Sequence, residues 1–297
     1  MSGFRRTSLG LRNQPVFFDS DIVVYVEGRS LFDAKVTADV EGEPVTQDSL
    51  FWSAVIVTLM PGVKLHFKAL GSKTELVKFS SGLDDQVRGK LLICFDRDLD
   101  DIVPNTVRLN FSIPTYRYSW ESDIWLWLVF IEVLLGLLPS ASVPSASLSK
   151  ARSVRDKFYR KISRMVELDA QTAAIKGLEC FIPRENPAAV VNSKKSMPSL
   201  NAPYFSARAK VYRKALGRPW RPGKIVGVNC KRHLFGKAVD RFHCQLVVAV
   251  LREMGFSSNI PFYALQNLAI RSLPGVLGRV ERTAQREHYQ AHLTAAL

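Results

Sequence analysis

The chain has 297 residues, 47% of them hydrophobic and 23% charged, which excludes a disordered or low-complexity protein and leaves room for one large domain or two ordinary ones. Its net charge of +14 is unevenly divided: residues 1–150 carry 15 Lys+Arg against 18 Asp+Glu, whereas residues 151–297 carry 26 against 9. An acidic half joined to a strongly basic one points to a metal-dependent centre beside a polyanion-binding surface.

The first residues include arginines but no apolar run, so no signal peptide is expected. Asp21 to Gly28 (DIVVYVEG) is an apolar run rich in β-branched residues, predicted as a buried strand that delivers Glu27 to a loop. Arg29, Asp33 and Lys35 follow, then a polar EGEP loop. Gln47-Asp48-Ser49 is expected to cap a helix over Leu50 to Met60, with Leu50, Val57 and the Phe51-Trp52 pair on its apolar face. Pro61-Gly62 stops it, and Val63 to Lys68 alternates as an edge strand does. Gly71 to Thr74 reads as a polar loop, and Asp84 to Gly89 as one helical turn.

Lys90 to Asp101 (KLLICFDRDLDD) runs five apolar residues into Asp96, Asp98, Asp100 and Asp101. This is the pattern of a buried parallel strand ending in acids. Thr106 to Ile113 is a further strand candidate. Ile124 to Leu138 is the most apolar stretch, but its 15 residues interrupted by Glu132 fall short of the roughly 20 that a spanning helix needs, so no membrane partner is expected. Glu121 and Asp123 sit in the first turn of that helix, where the macrodipole favours negative charge.

Pro139 to Ser149 is a Pro/Ser-rich connector and the expected boundary between domains 1–138 and 150–297. Beyond it, Lys150 to Leu168 reads as an amphipathic basic helix with Arg155, Arg160, Lys161 and Arg164. Pro183 to Pro203, with Lys194 and Lys195, reads as a loop. Ser206 to Leu216 is a short helix with Lys210, Arg213 and Lys214. A basic turn over Gly217 to Gly227 follows, with Trp220, then helices over Lys237 to Met254 and Ile260 to Arg271 and a fraying tail from Arg282. The fold class expected is therefore α/β, a mainly parallel sheet flanked by helices, followed by a basic, mainly helical domain.

Two buried strands that each end in acids would set carboxylates side by side on one edge of a parallel sheet, where open α/β sheets bind ligands. Clustered carboxylates suit a hard cation such as Mg2+ or Mn2+, which retains waters that a phosphate can displace. Glu27 at one strand end and Asp96 and Asp98 at the other are therefore the candidate site carboxylates. The seven basic residues Arg155, Arg160, Lys161, Arg164, Lys210, Arg213 and Lys214 are candidates for nucleic-acid contact. Cys230-x-x-His233 and His243-Cys244 offer zinc-type side chains at spacings that fit poorly. The four cysteines form no CxxC pair and read as reduced thiols of a cytoplasmic protein. No P-loop and no GxSxG elbow is present.

The VVYVEG and LLICFDRDLDD segments resemble the two motifs of the TOPRIM domain, the catalytic module of topoisomerases, primases and OLD-type nucleases. The order YVEGRS, LFW, KF, FDRDLDD, YRYSWES is similar to the TOPRIM-like effectors of anti-phage defence loci, the OLD-type and PARIS AriB-like family, over about residues 20–135. That resemblance implies a Mg2+-dependent nuclease that acts as a toxic antiviral effector and is held inactive by an ATPase partner protein. It implies RNA, tRNA in particular, over DNA as substrate, a possible homodimer, Glu27, Asp96 and Asp98 as catalytic residues with Glu27 as acid/base or ligand, the same three with Asp100 as metal ligands, Glu121 as a possible further acid, and Lys73 as a contact for phosphate charge. The alternative is a non-catalytic binding or regulatory subunit with a degenerate site.

Overall fold

The computed structural model describes residues 8–28, 46–103, 109–138, 142–175, 178–192, 197–215, 227–256, 259–279 and 283–297. Arg29, Asp33, Lys35, Lys194, Lys195 and Trp220 lie outside them, as do the first three residues of the strand expected over Thr106 to Ile113, whose last two, Ser112 and Ile113, belong to a strand. The first part of the chain holds α1 (Ser8–Arg12), α2 (Gln14–Phe17), β1 (Ile22–Val26), α3 (Gln47–Leu59), β2 (Leu65–Ala69), α4 (Lys73–Ser80), β3 (Leu91–Phe95) and β4 (Ser112–Pro114). There follow α5 (Trp120–Ile124), α6 (Trp127–Leu137), α7 (Ser145–Ala173), the strands β5 (Val191–Asn192) and β6 (Ser199–Leu200), and α8 (Ala202–Ala215). The rest is α9 (Cys230–His233), α10 (Gly236–Glu253), α11 (Phe262–Arg279) and α12 (Ala284–Ala296).

These elements form two compact units. The first takes residues 1–97, 107–116 and 273–297, the second residues 98–106 and 117–272. The expected boundary at 139–149 does not coincide with that division, and residues 145–149 open the long helix α7.

The first unit is built on a four-stranded parallel sheet in the order β2-β1-β3-β4. Every residue of β1 and β3 is buried, as central strands covered on both faces require. Strand β2 is half-buried and at the edge, as expected, although its burial is even along the strand and does not alternate. Because strand side chains alternate between faces, Val23, Tyr25, Leu91, Ile93 and Phe95 share one face, packed with Leu76, Leu83 and Val87. On α3 the residues that bury are Phe51, Trp52, Val55 and Ile56, whereas Leu50 and Val57 stay exposed. Of the expected apolar face, the Phe51-Trp52 pair is therefore buried and Leu50 and Val57 are not. Its cap is also one residue earlier: the Thr46 hydroxyl accepts from the Ser49 amide. Lys73 and Thr74, expected in a loop, already belong to α4.

The tail does not fray. Thr283 caps α12 by accepting from the Arg286 amide, and Tyr289, Leu293 and Ala296 form a buried stripe at helical spacing. Tyr289 is wholly buried, with its ring edge-on to both Phe51 and Trp52.

The second unit is mainly helical. Its central element is α10, whose Phe242 stacks on Phe158 of α7 at 3.9 Å. The apolar stretch expected as one helix is two, α5 and α6, with Trp125 and Leu126 between them. Trp125 is seated there by stacking on His243 and by donating its indole N–H to Asp240 at 2.8 Å. A buried indole needs such a partner. The expected loop over Pro183–Pro203 contains the antiparallel pair β5–β6. Helix α8 begins at Ala202, and α11 continues past Arg271 through Pro274. No helix among the described residues is long and apolar enough to cross a membrane.

Candidate functional site

The strand order places β1 beside β3, with the next strand in sequence, β2, on the far side of β1. The chain therefore steps outward in opposite directions from this central pair. Such a switch point leaves a crevice at the carboxyl ends of the strands, where doubly wound sheets bind their ligands. Glu27 follows β1 directly and Asp96 follows β3 directly, and both are half-buried. The Asp96 amide donates to Glu27 Oε1 at 3.2 Å, so the two acidic strand ends are held against each other.

Two devices fix this edge. Gly28 and Gly71 exchange both backbone hydrogen bonds at 2.7 Å, and each has positive φ, +121° and +80°. At Gly28 a side chain would be strained, so glycine here lets the backbone turn immediately after Glu27. On the other strand, the Lys73 ammonium donates to the carbonyls of Asp96 at 2.8 Å and Arg97 at 3.2 Å. Lys73 thus anchors the end of β3.

Arg97, between the two aspartates of the motif, is buried. Its amide donates to Thr115 Oγ1 and its Nε to the Thr115 carbonyl, while His288 of α12 faces its guanidinium and bonds the Pro114 carbonyl. Sequence reasoning missed Arg97, Thr115 and His288 as a brace for the loop after β3. The signal available was the arginine's place in the motif, one residue out of step with the carboxylates. Asp48, read as a capping residue, brings Oδ2 to 3.5 Å from where a Cβ on Gly28 would lie.

The other predicted acids lie in the second unit. Asp98 has a left-handed backbone, φ +56°, and its amide donates to the Tyr118 carbonyl at 2.7 Å. Asp101 pairs with Arg232 at 2.8 Å and approaches His233 at 3.2 Å. Glu121 is buried and accepts from the Ser119 hydroxyl at 2.5 Å. Burial pushes its pKa up, against the pull of that hydrogen bond and of Lys237. Asp240 is raised to about 6, first by burial, although Trp125 and Gln266 both donate to it. Asp123 is fully buried and holds the Arg117 amide at 3.1 Å. Its helix-start position is thus supplemented by a specific partner.

The predicted zinc-type side chains are otherwise engaged. The Cys230 thiol donates to the Tyr159 carbonyl, and His243 bonds the Val239 carbonyl in the core, where burial lowers its pKa to about 3.

Of the basic candidates, Arg155 lies over the Trp127 ring at 4.6 Å and pairs with Asp156, with only 13% of its side chain exposed. Arg164 pairs with Glu167. Arg160 and Lys161 on α7, and Lys210, Arg213 and Lys214 on α8, are exposed.

Among the described residues, no three or more His, Cys, Asp or Glu side chains are grouped so as to hold a metal ion. Two carboxylic acids, Glu27 and Asp96, nevertheless stand at adjacent strand ends. Compared with known families and with characterised proteins, the chain matches none.

Proposed function

We propose that the chain is a TOPRIM-like, Mg2+-dependent nuclease that cleaves nucleic acid, RNA in preference to DNA. The observation that supports this reading is the pairing of Glu27 with Asp96 at the switch point of a parallel sheet, with the Asp96 amide on the Glu27 carboxylate. Glu27 and Asp96 would hold the metal, and Asp98 and Asp100 join them on the sequence motif alone. Bound there, magnesium supplies a Lewis acid for a phosphate oxygen and lowers the pKa of a bound water.

The protein's own groups do the positioning. Gly28 turns the chain so that Glu27 ends the strand, Lys73 ties down the carbonyls beside Asp96, and Arg97 braces the following loop through Thr115. Asp96 is half-buried, with its backbone held by Glu27 and Lys73. By the TOPRIM resemblance Glu27 would act either as a metal ligand or as the acid/base that takes a proton from the attacking water.

By the same resemblance, the nuclease is the antiviral effector of an anti-phage system, restrained by an ATPase partner, and works in the cytoplasm, alone or as a homodimer. Its basic surface would carry the affinity for nucleic acid, with binding that weakens as salt rises.

The test is cleavage of total tRNA and of plasmid by wild-type protein and by Glu27→Gln and Asp96→Asn in magnesium. Both substitutions are expected to reduce cleavage at least 100-fold, the order that loss of a metal-ion contact costs, while melting within about 2 °C of the wild type. Undiminished cleavage by either variant overturns the site. A wild-type protein that neither cleaves nor gains melting temperature with Mg2+ or Mn2+ is instead a binding or regulatory subunit.

A further inference from the structure

Helices α7 and α9 border an open groove of about 650 Å³ lined by Asp156, Tyr159, Arg160, Ser163, Asn229, Cys230 and Lys231. Its chemistry is that of a donor site. Arg160 and Lys231 are exposed, and neither forms an ion pair with a described residue. The one acid in the lining, Asp156, is tied to Arg155, which the face of Trp127 in turn holds. Asn229 uses its carbonyl oxygen to accept the Lys231 amide, which leaves its NH2 as the end that can donate outward. Ser163 adds a hydroxyl. The hydroxyls of Tyr159 and Ser163 can donate as well as accept, so the two cations, Arg160 and Lys231, set the character of the groove.

We infer that this groove holds the phosphate backbone of a single nucleic-acid strand, through Arg160 and Lys231. A groove of this volume is small-molecule-sized, so it takes a short piece of one strand rather than the width of a duplex. Arg160 stands on the helix that the sequence marks as basic, but Lys231 and Asn229 come from a segment that carries no basic periodicity. The inference narrows the binding surface. Arg155 and Arg164 are engaged within the protein, and the α8 cations belong to another helix. It rests on the proposed function only for the identity of the strand as substrate.

The measurement is fluorescence anisotropy of a labelled 12-nucleotide single-stranded RNA in EDTA, over a series of salt concentrations. It compares the full-length wild type, Arg160→Glu/Lys231→Glu, the milder Arg160→Gln/Lys231→Gln, and a control with the α8 pair reversed, Lys210→Glu/Arg213→Glu. Both groove residues are exposed, so unchanged circular dichroism is expected in every variant. The charge-reversed groove variant should bind at least tenfold more weakly, and its salt slope should flatten by about 1.4, two single-strand phosphate contacts at about 0.7 each. The glutamine variant should lie between it and the wild type, and the α8 control should remain within about threefold of the wild type.

Wild-type affinity in the charge-reversed variant overturns the site. So does an equal loss in the α8 control, which means binding by overall charge. Competition by a mononucleotide or by anionic lipid vesicles as effective as by RNA, compared per phosphate, overturns the assignment to a strand. Because the assay contains no divalent metal and reads binding alone, its outcome is separate from the nuclease reading, which stands or falls on cleavage.

Discussion

Gly236 shows how much one atom decides. It begins α10, and a Cβ built on it would overlap the Ser119 Oγ and stand 3.1 Å from Glu121 Oε2 and from the Ser119 Cβ. Ser119 could escape only by rotating away from Glu121. That rotation would leave a buried carboxylate without its hydroxyl donor, a loss of roughly 1–3 kcal/mol. Gly236→Ala is therefore expected to lower the melting temperature by about 5 °C or more, on the scale where 1 kcal/mol shifts a domain of this size by a few degrees. Ser119→Ala with Gly236→Ala should lose less than the sum of the two single changes, because the same hydrogen bond is removed only once. Strict additivity in differential scanning fluorimetry would mean that the clash is relieved elsewhere. This requirement was not legible in the sequence. Gly236 looks there like an ordinary helix-start residue, and its neighbour Ser119 lies far away along the chain. Glu27 and Asp96 were legible, because an acid that ends a run of buried residues has nowhere to go but the strand's end. Asp98 and Arg97 look alike in charge density, yet one turns left-handed and the other turns inward to Thr115.

At the scale of elements, the buried strands were the easiest to read. β1 and β3 are apolar without interruption because parallel strands with both faces covered leave no position for polar alternation. Helices were read by period, and the errors came where tertiary partners override it. The break at Trp125 follows from an indole that must reach Asp240, and the buried face of α3 follows from Tyr289, which lies more than 200 residues later. Helix α12 is the clearest case. Its sequence, AQREHYQAHLTAA, is only moderately amphipathic, and nothing local announces that Tyr289 is among the largest fully buried side chains of the protein. Its removal is correspondingly costly. Tyr289→Ala should destabilise by about 3–5 kcal/mol, the range for deleting a buried aromatic ring, and it also removes the hydroxyl that receives the Tyr116 amide. Tyr289→Phe keeps the ring and should cost about 1 kcal/mol. Urea unfolding separates the two, and equal midpoints for both variants would show that ring burial does not hold α12 in place.

At the scale of the whole chain, the charge division seen in the sequence is real as a sequence fact, but it is not the division of the structure. The first compact unit joins residues near both ends, because α12 returns to cover α3 and β4. Contact between segments so far apart leaves no mark in composition, which is why a Pro/Ser-rich connector looked like the boundary. The consequence is an experiment on fragments. A chain ending at Leu138 contains the four strands and both motif acids but lacks α12, and so exposes the faces of Phe51 and Trp52 that Tyr289 covers and leaves Arg97 without His288. With a single domain's stability of only about 5–15 kcal/mol, that loss is expected to prevent cooperative folding. Residues 1–138 should show no sharp thermal transition and should be digested rapidly by a non-specific protease. Adding a peptide spanning residues 283–297 should restore part of the protection in proportion to its concentration, since a segment that binds only the folded form stabilises it by mass action. A fragment that melts cooperatively without the peptide would place the boundary near residue 138 after all and reduce α12 to a surface strap.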